Sequence, residues 1–215
     1  EDFEGIETYP SVSQMLKKSD VNLVTIITPH NTHAPIALKC LAAGRHVGTE
    51  KPFAITVAEC DAMIAACRDA GVNLAVVKTE RYRKITLKAK ALIGDGVIGP
   101  IQMMRTVSAF PLPTTRELFD DRKWMFDPAG GGLFMGMASH NTDFLRWLTG
   151  REVETVYAQS TTYSDLDTPN LSVMAQLGFE GGIQAHMWIT AELPSPSLPS
   201  SEVRFQVFGR DAMFD

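Results

Sequence analysis

Apolar residues follow two different rhythms along this chain. From Asn22 to Thr28 they form a short β-branched run, Asn-Leu-Val-Thr-Ile-Ile-Thr, that stops at Pro29, as expected of a strand buried on both faces. Ala34 to Ala43 is rich in Ala and Leu, carries Pro35 where a first helical turn tolerates it, and meets Gly44, so a helix is predicted there. A short strand is expected over Arg45–Thr49. A second helix is expected over Val57–Ala70, capped by Thr56 or a neighbour and ended by Gly71, before a strand from Asn73 to Lys78. Strand, helix, strand, helix, strand with short connections predicts right-handed βαβ units. Residues 1-80 are therefore read as part of a doubly wound, Rossmann-like α/β domain with a parallel sheet.

Beyond Thr79 the grammar changes. A charged helix is predicted from about Ile85 to Ile93, running to Gly94 and Gly96, and an alternating strand from Ile101 to Ala109. A loop rich in proline and charge then reaches Trp124. The Gly130-Gly131-Gly132 turn leads into a helix over Leu133–Leu148, closed by Gly150. Three or more strands fill the remainder, with turns at Glu180-Gly-Gly182 and Gly209-Arg-Asp211. Residues 81-215 read as an α+β domain with an open, mainly antiparallel sheet. Internal repeats and low-complexity tracts are absent.

Composition narrows the partners. The 215 residues are 45% hydrophobic and 21% charged, an ordinary globular balance. The net charge of -5, from 20 basic and 25 acidic residues without a basic run, argues against nucleic acid and anionic membrane surfaces. The longest apolar run, Leu23–Ile27, is far too short to cross a bilayer, and no basic-then-apolar leader opens the chain. Cys40, Cys60 and Cys67 are odd in number and lie in helix-like, Ala-rich contexts. They suit buried thiols in a reducing, cytoplasmic setting.

Three clusters carry candidate chemistry. Thr28-Pro29-His30-Asn31-Thr32-His33 lies at the carboxyl end of a predicted parallel strand, where ligands of open α/β sheets bind. The same residues would serve equally as a polar loop capping the next helix through Asn31 or Thr32. His30 and His33 invite a metal reading, as a hydrolase or lyase drawing also on His140, but no compact Cys/His cluster supplies a further ligand and no metal is expected. Glu50-Lys51-Pro52 ends the next strand. Pro52 restrains Lys51, which is placed to orient a hydroxyl or carbonyl; an exposed salt bridge is the plain alternative. In the later helix, Leu133, Met137, His140, Phe144 and Leu148 form an apolar stripe that contains His140, which points to a core histidine. Gly136, His140, Asp143 and Trp147 share a second face, which points to a cleft.

Taken in order, these features resemble the Gfo/Idh/MocA family of NAD(P)-dependent oxidoreductases. The matching stretch runs from about Tyr9 to Gly209. It includes Thr28-Pro29 with His33, Ala43-Gly44-Arg45-His46-Val47, Glu50-Lys51-Pro52, Trp124, Gly130-Gly131-Gly132 and Ser139-His140-Asn141-Thr142-Asp143. The resemblance implies a dinucleotide domain followed by a substrate domain that also forms a homo-oligomer through its sheet. It implies NAD or NADP as cofactor, bordered by Thr28, Pro29, Asn31, His33, Glu50, Lys51 and Pro52. Lys51 and His140 become the catalytic pair, with His140 as general acid/base, and Arg81, Trp124 and Asp143 face the substrate, a polyol, sugar or related hydroxylated small molecule.

Two departures stand out. Inositol-dehydrogenase-like members carry Asp four residues before the histidine, where this chain has Gly136. The Gly-x-Gly-x-x-Gly turn, expected within a βαβ unit of roughly 30 residues, would lie before residue 1. The chain is therefore expected to be a piece of a longer enzyme. The alternative is a shortened, non-catalytic relative that senses a ligand.

Overall fold

Leu23–Ile26 (β1), His46–Thr49 (β2) and Leu74–Val76 (β3) lie side by side in that order, all parallel, in the computed structural model, which describes residues 5–196 and 202–215. They belong to the first of two units into which the chain divides, Glu1–Val77 and Lys78–Asp215. Helices α2 (His33–Ala42) and α3 (Val57–Ala70) make the crossovers. Ile26, Ala37, Cys40, Leu41, Val47 and Met63 form the core between sheet and helices.

The helix boundaries follow local chemistry. The Thr56 hydroxyl accepts the Glu59 amide at 3.1 Å, and the Glu59 carboxylate accepts the amides of Thr56 and Ile55 at 3.0 Å, a complete capping box. Gly71 closes α3 in a left-handed conformation. A further helix, α1 (Val12–Lys18), was not expected. It fully buries none of its residues, though Val12 and Leu16 on one face of its two turns pack against the core, and it opens at Ser11, whose hydroxyl accepts the Gln14 amide.

The second unit begins with a single 3-10 turn over Thr79–Tyr82 and helix α4 (Lys84–Gly94). Then follow β4 (Ile101–Pro111), α5 (Leu112–Asp121), α6 (Gly132–Thr149), β5 (Val153–Thr161), β6 (Ser172–Phe179), β7 (Gln184–Leu193), β8 (Glu202–Gly209) and β9 (Met213–Phe214). The strands are ordered β5-β6-β7-β4-β8-β9. Within this sheet, among the described strands, only the β4–β7 pairing is parallel, so the sheet is mixed and mainly antiparallel, as expected.

One face of this sheet is covered. Val173, Ala175, Leu177 and Phe179 alternate inward from β6, and Phe144, Leu145 and Leu148 of α6 pack onto the same core, with the Phe144 and Phe205 rings 4.1 Å apart. The opposite face leaves Met103, Tyr157 and Met174 more than half exposed. Helix α5 replaces the front of the loop expected before Trp124. Its Pro113 sits within the first turn, where a missing N–H costs nothing, and buried Thr115 donates to the Ala191 carbonyl at 2.6 Å. No described helix is long and apolar enough to cross a membrane.

Candidate active site

Two groups of functional side chains form, one in each unit. In the first, β1 and β2 end at adjacent loops on the carboxyl edge of the parallel sheet. The Thr28 hydroxyl lies 2.6 Å from that of Thr32, which donates to the Pro29 carbonyl at 2.6 Å. Since Thr32 has one proton to give, Thr28 is the donor in the first contact. The loop is thus tied to itself, with Thr28 and Asn31 exposed and Pro29 half-buried.

His33 ties that loop to the next. Its ring is fully buried, with Nδ1 2.8 Å from the Pro52 carbonyl oxygen and Nε2 2.9 Å from that of Thr28. Both partners are acceptors, so the ring's N–H chemistry is spent on the backbone. What the ring supplies is the separation of the two loops expected to border a cofactor. His30, also buried, packs edge-on to the His33 ring at 6.0 Å between centroids.

Glu50, Lys51 and Pro52 occupy the second loop. The Glu50 carboxylate accepts the Lys51 amide at 3.1 Å, and the Lys51–Pro52 peptide is cis. Lys51 is half-buried. Its ammonium is held below the ordinary lysine range chiefly because burial strips water from it, with Glu50 opposing the shift. A lysine in that condition is a proton donor that gives up its proton more readily than a solvated one.

The second group stands on α6. Gly131 takes a left-handed conformation at its N-cap, φ 83°, and a Cβ there would lie 2.7 Å from the Met135 sulfur. Buried positions along the helix include Leu133, Gly136, Asn141, Phe144 and Leu148. The apolar stripe therefore runs through Asn141 rather than His140, which corrects the expectation that His140 sits inside it. His140 is half-buried at the stripe's edge, where it lines a cavity of about 140 Å³ with Glu80, Ser108, Phe110, Met137 and Asn141.

Asp143, one turn on, is paired with Arg81. The guanidinium donates from Nε to Oδ2 at 2.8 Å and from Nη2 to Oδ1 at 2.6 Å, and the carboxylate raises the Arg81 pKa. Two residues expected to face substrate therefore face each other. Lys78 donates to the Ser139 carbonyl at 3.1 Å, next to His140. Trp124 lies in a short 3-10 turn and is 41% exposed. Among the described residues, no three metal-binding side chains converge.

Asn141 escaped the sequence reading. The signal was present, since a buried amide must meet polar partners, but it required knowing that Thr106 and Ser108 point inward from β4.

Known proteins share this architecture. Residues 86–215 match the Gfo/Idh/MocA C-terminal domain, and residues 1–78 match the oxidoreductase family's NAD-binding Rossmann fold. Myo-inositol 2-dehydrogenase of Thermotoga maritima is 28% identical over 162 residues, 75% of this chain and 46% of that protein. Levoglucosan dehydrogenase of Pseudarthrobacter phenanthrenivorans is 32% identical over 146 residues, 67% of this chain and 37% of that one. The WlbA dehydrogenase of Bordetella pertussis, solved with NADH and UDP-GlcNAcA, superposes with a TM-score of 0.86 at 32% identity, covering 96% of this chain and 58% of its own. The chain spans about half the length of the curated relatives it matches, 46% and 49% for two of them. With a family domain matched over more than half its residues, the chain belongs to the Gfo/Idh/MocA family of oxidoreductases.

Proposed function

We propose that the full-length protein is an NAD(P)-dependent dehydrogenase that oxidises a secondary alcohol of a polyol, sugar or related hydroxylated small molecule, and reduces the ketone in reverse. The observation that carries this reading is Lys51, a partly desolvated ammonium at the carboxyl edge of a parallel sheet, in a loop spaced by His33. Thr28, Asn31, Glu50 and Lys51 fit the amide and hydroxyl groups of a nicotinamide riboside in kind, since hydroxyl, carboxamide, carboxylate and ammonium are the hydrogen-bonding partners such a group needs. The bound nicotinamide would accept the hydride at C4.

The protein's own groups handle the proton and the geometry. In the first unit, Lys51 is assigned donation to an oxygen of the ligand. In the second, His140 is assigned the acid/base step: a ring nitrogen takes the hydroxyl proton as the C–H bond breaks, so alcohol becomes carbonyl, one hydride leaves and one proton is held. Imidazole suits this exchange near neutral pH. Pro29 and Pro52 shape the loops. Trp124 meets the substrate's apolar side, and Arg81 and Asp143 act as a joined pair at the pocket rather than as separate contacts.

Two relatives are named as dehydrogenases of myo-inositol and levoglucosan, and WlbA was solved with UDP-GlcNAcA bound, which supports the class of substrate. The exposed sheet face with Met103, Tyr157 and Met174 supports a homo-oligomer built on it. All three cysteines are free thiols, which supports a cytoplasmic setting.

A non-catalytic, ligand-sensing role draws on one observation, the buried Gly136 where a carboxylate would assist His140. The two readings part in one experiment. NADH and NADPH are titrated into the full-length protein by nicotinamide fluorescence, then NAD⁺ or NADP⁺ reduction is followed with cyclitols, sugars and sugar nucleotides. Micromolar binding with turnover is expected. Binding without turnover across that panel, or no binding of either cofactor by the complete chain, would replace the dehydrogenase by the sensor.

A further inference from the structure

We propose that Asn141 is a positioning residue, which sets the orientation of His140 by locking α6 onto β4 through two buried hydroxyls; the proposal rests on His140 as the acid/base. Asn141 is 1% exposed, Thr106 0% and Ser108 5%. The Ser108 hydroxyl donates to the Asn141 carboxamide oxygen at 3.2 Å, and the carboxamide nitrogen donates to the Thr106 hydroxyl at 3.1 Å. Thr106 and Ser108 stand two apart on β4, on the face that α6 covers, so one planar carboxamide spans two fixed points of a strand.

The chemistry here is out of keeping with the helix. Met137 and Phe144, a turn to either side, pack on the sheet, and an apolar residue at 141 would do so without burying an amide. Apolar packing leaves the rotation of a helix about its axis loosely specified, whereas a two-point polar latch specifies both rotation and slide. His140 is one residue, about 100°, from the latch. Its ring shares with Ser108 and Asn141 the cavity of about 140 Å³. At roughly 6 Å from the helix axis, a rotation of about 10° would carry the ring about 1 Å. A displacement of that size costs on the order of a hundredfold in rate where a proton transfer must be aligned. The polar latch thus has a use that stability alone does not explain.

The test uses the full-length protein and the best substrate from the panel above. Thr106→Val with Ser108→Ala removes both hydroxyls at nearly constant volume, and Thr106→Ser with Ser108 intact preserves them. The double variant is expected to lose at least about tenfold in kcat with cofactor Kd unchanged, and to shift the pH midpoint of diethylpyrocarbonate modification at His140 but not at His46; Thr106→Ser restores both. Wild-type kcat and an unmoved His140 midpoint in the double variant would overturn the positioning role and leave the acid/base reading standing. His140→Ala with full turnover would overturn both. If the double variant fails to fold, Ser108→Ala alone is read by the same two measurements, with the modification midpoint at His140 decisive even without turnover.

Discussion

Arg81 reaches Asp143 with both arms of its fork, Nε to Oδ2 at 2.8 Å and Nη2 to Oδ1 at 2.6 Å, so that the turn over Thr79–Tyr82 is bolted to the middle of α6. Two lysines of the same segment reinforce it. Lys78 donates to Ser139, and Lys90 caps the helix end through the carbonyls of Trp147 and Leu148 at 2.6 and 3.1 Å, with its ammonium 5.7 Å from the Trp147 ring centre.

The pair is half open to water on the arginine side, 38% against 11% for the aspartate, so its net worth is well below that of a buried ion pair. A double-mutant cycle with Arg81→Ala and Asp143→Ala is expected to give a coupling of about 1–2 kcal/mol by urea denaturation. Arg81→Lys should recover less than half of it, since an ammonium cannot match both oxygens. A coupling near zero would mean that the two side chains merely coincide.

His33→Phe keeps the ring but removes the N–H that the imidazole gives to a loop carbonyl and the polar contact at the other nitrogen. A loss of about 2–4 kcal/mol is expected from these changes, read by thermal or urea unfolding. NADH affinity should fall as well, because the loops carrying Thr28 and Lys51 lose their spacer. Unchanged stability in this variant would refute the latch.

Lys51 yields a prediction with a definite sign in pH. Its folded pKa lies below the unfolded value, so the unfolded chain binds more protons through that interval and stability rises with pH there. At neutral pH the buried cation opposes folding. Lys51→Met should therefore leave Tm unchanged or raise it at pH 7, and its advantage should shrink as pH climbs toward the ordinary lysine range. Turnover in the full-length variant should fall by at least about a hundredfold. A lower Tm at pH 7 would show that the contact with Glu50 outweighs desolvation.

Gly131 stands at φ 83° with the Met135 sulfur 2.7 Å from where a Cβ would lie. Gly131→Ala is expected to cost about 1–2 kcal/mol from the left-handed backbone, with more if Met135 cannot swing away. Gly150→Ala, left-handed but with open space, serves as the reference, and equal losses would exclude a steric part.

Much of this was legible because it is local. The capping box at Thr56 and Glu59, the stop at Gly71 and the strand ending before Pro29 are decided by neighbours a few residues apart. Other features depend on residues far along the chain. Whether His33 faces a ligand or the backbone is settled by the Pro52 carbonyl, 19 residues on. A period of 3.6 leaves 140 and 141 nearly equivalent candidates for the inward position, and the hydroxyls of Thr106 and Ser108, which select Asn141, lie 35 and 33 residues away. Helix α5 was hidden by Pro113, a breaker in a helix interior but not in a first turn.

The bridge made by His33 also divides the labour between inside and outside. An aromatic ring does not stretch, so the gap between the two loop backbones is gauged from beneath by a part of constant length. Exposed side chains such as Asn31 can then be exchanged to suit a different ligand while the distance across the mouth stays the same. Precision lies in the foundation, and variety is left to the rim.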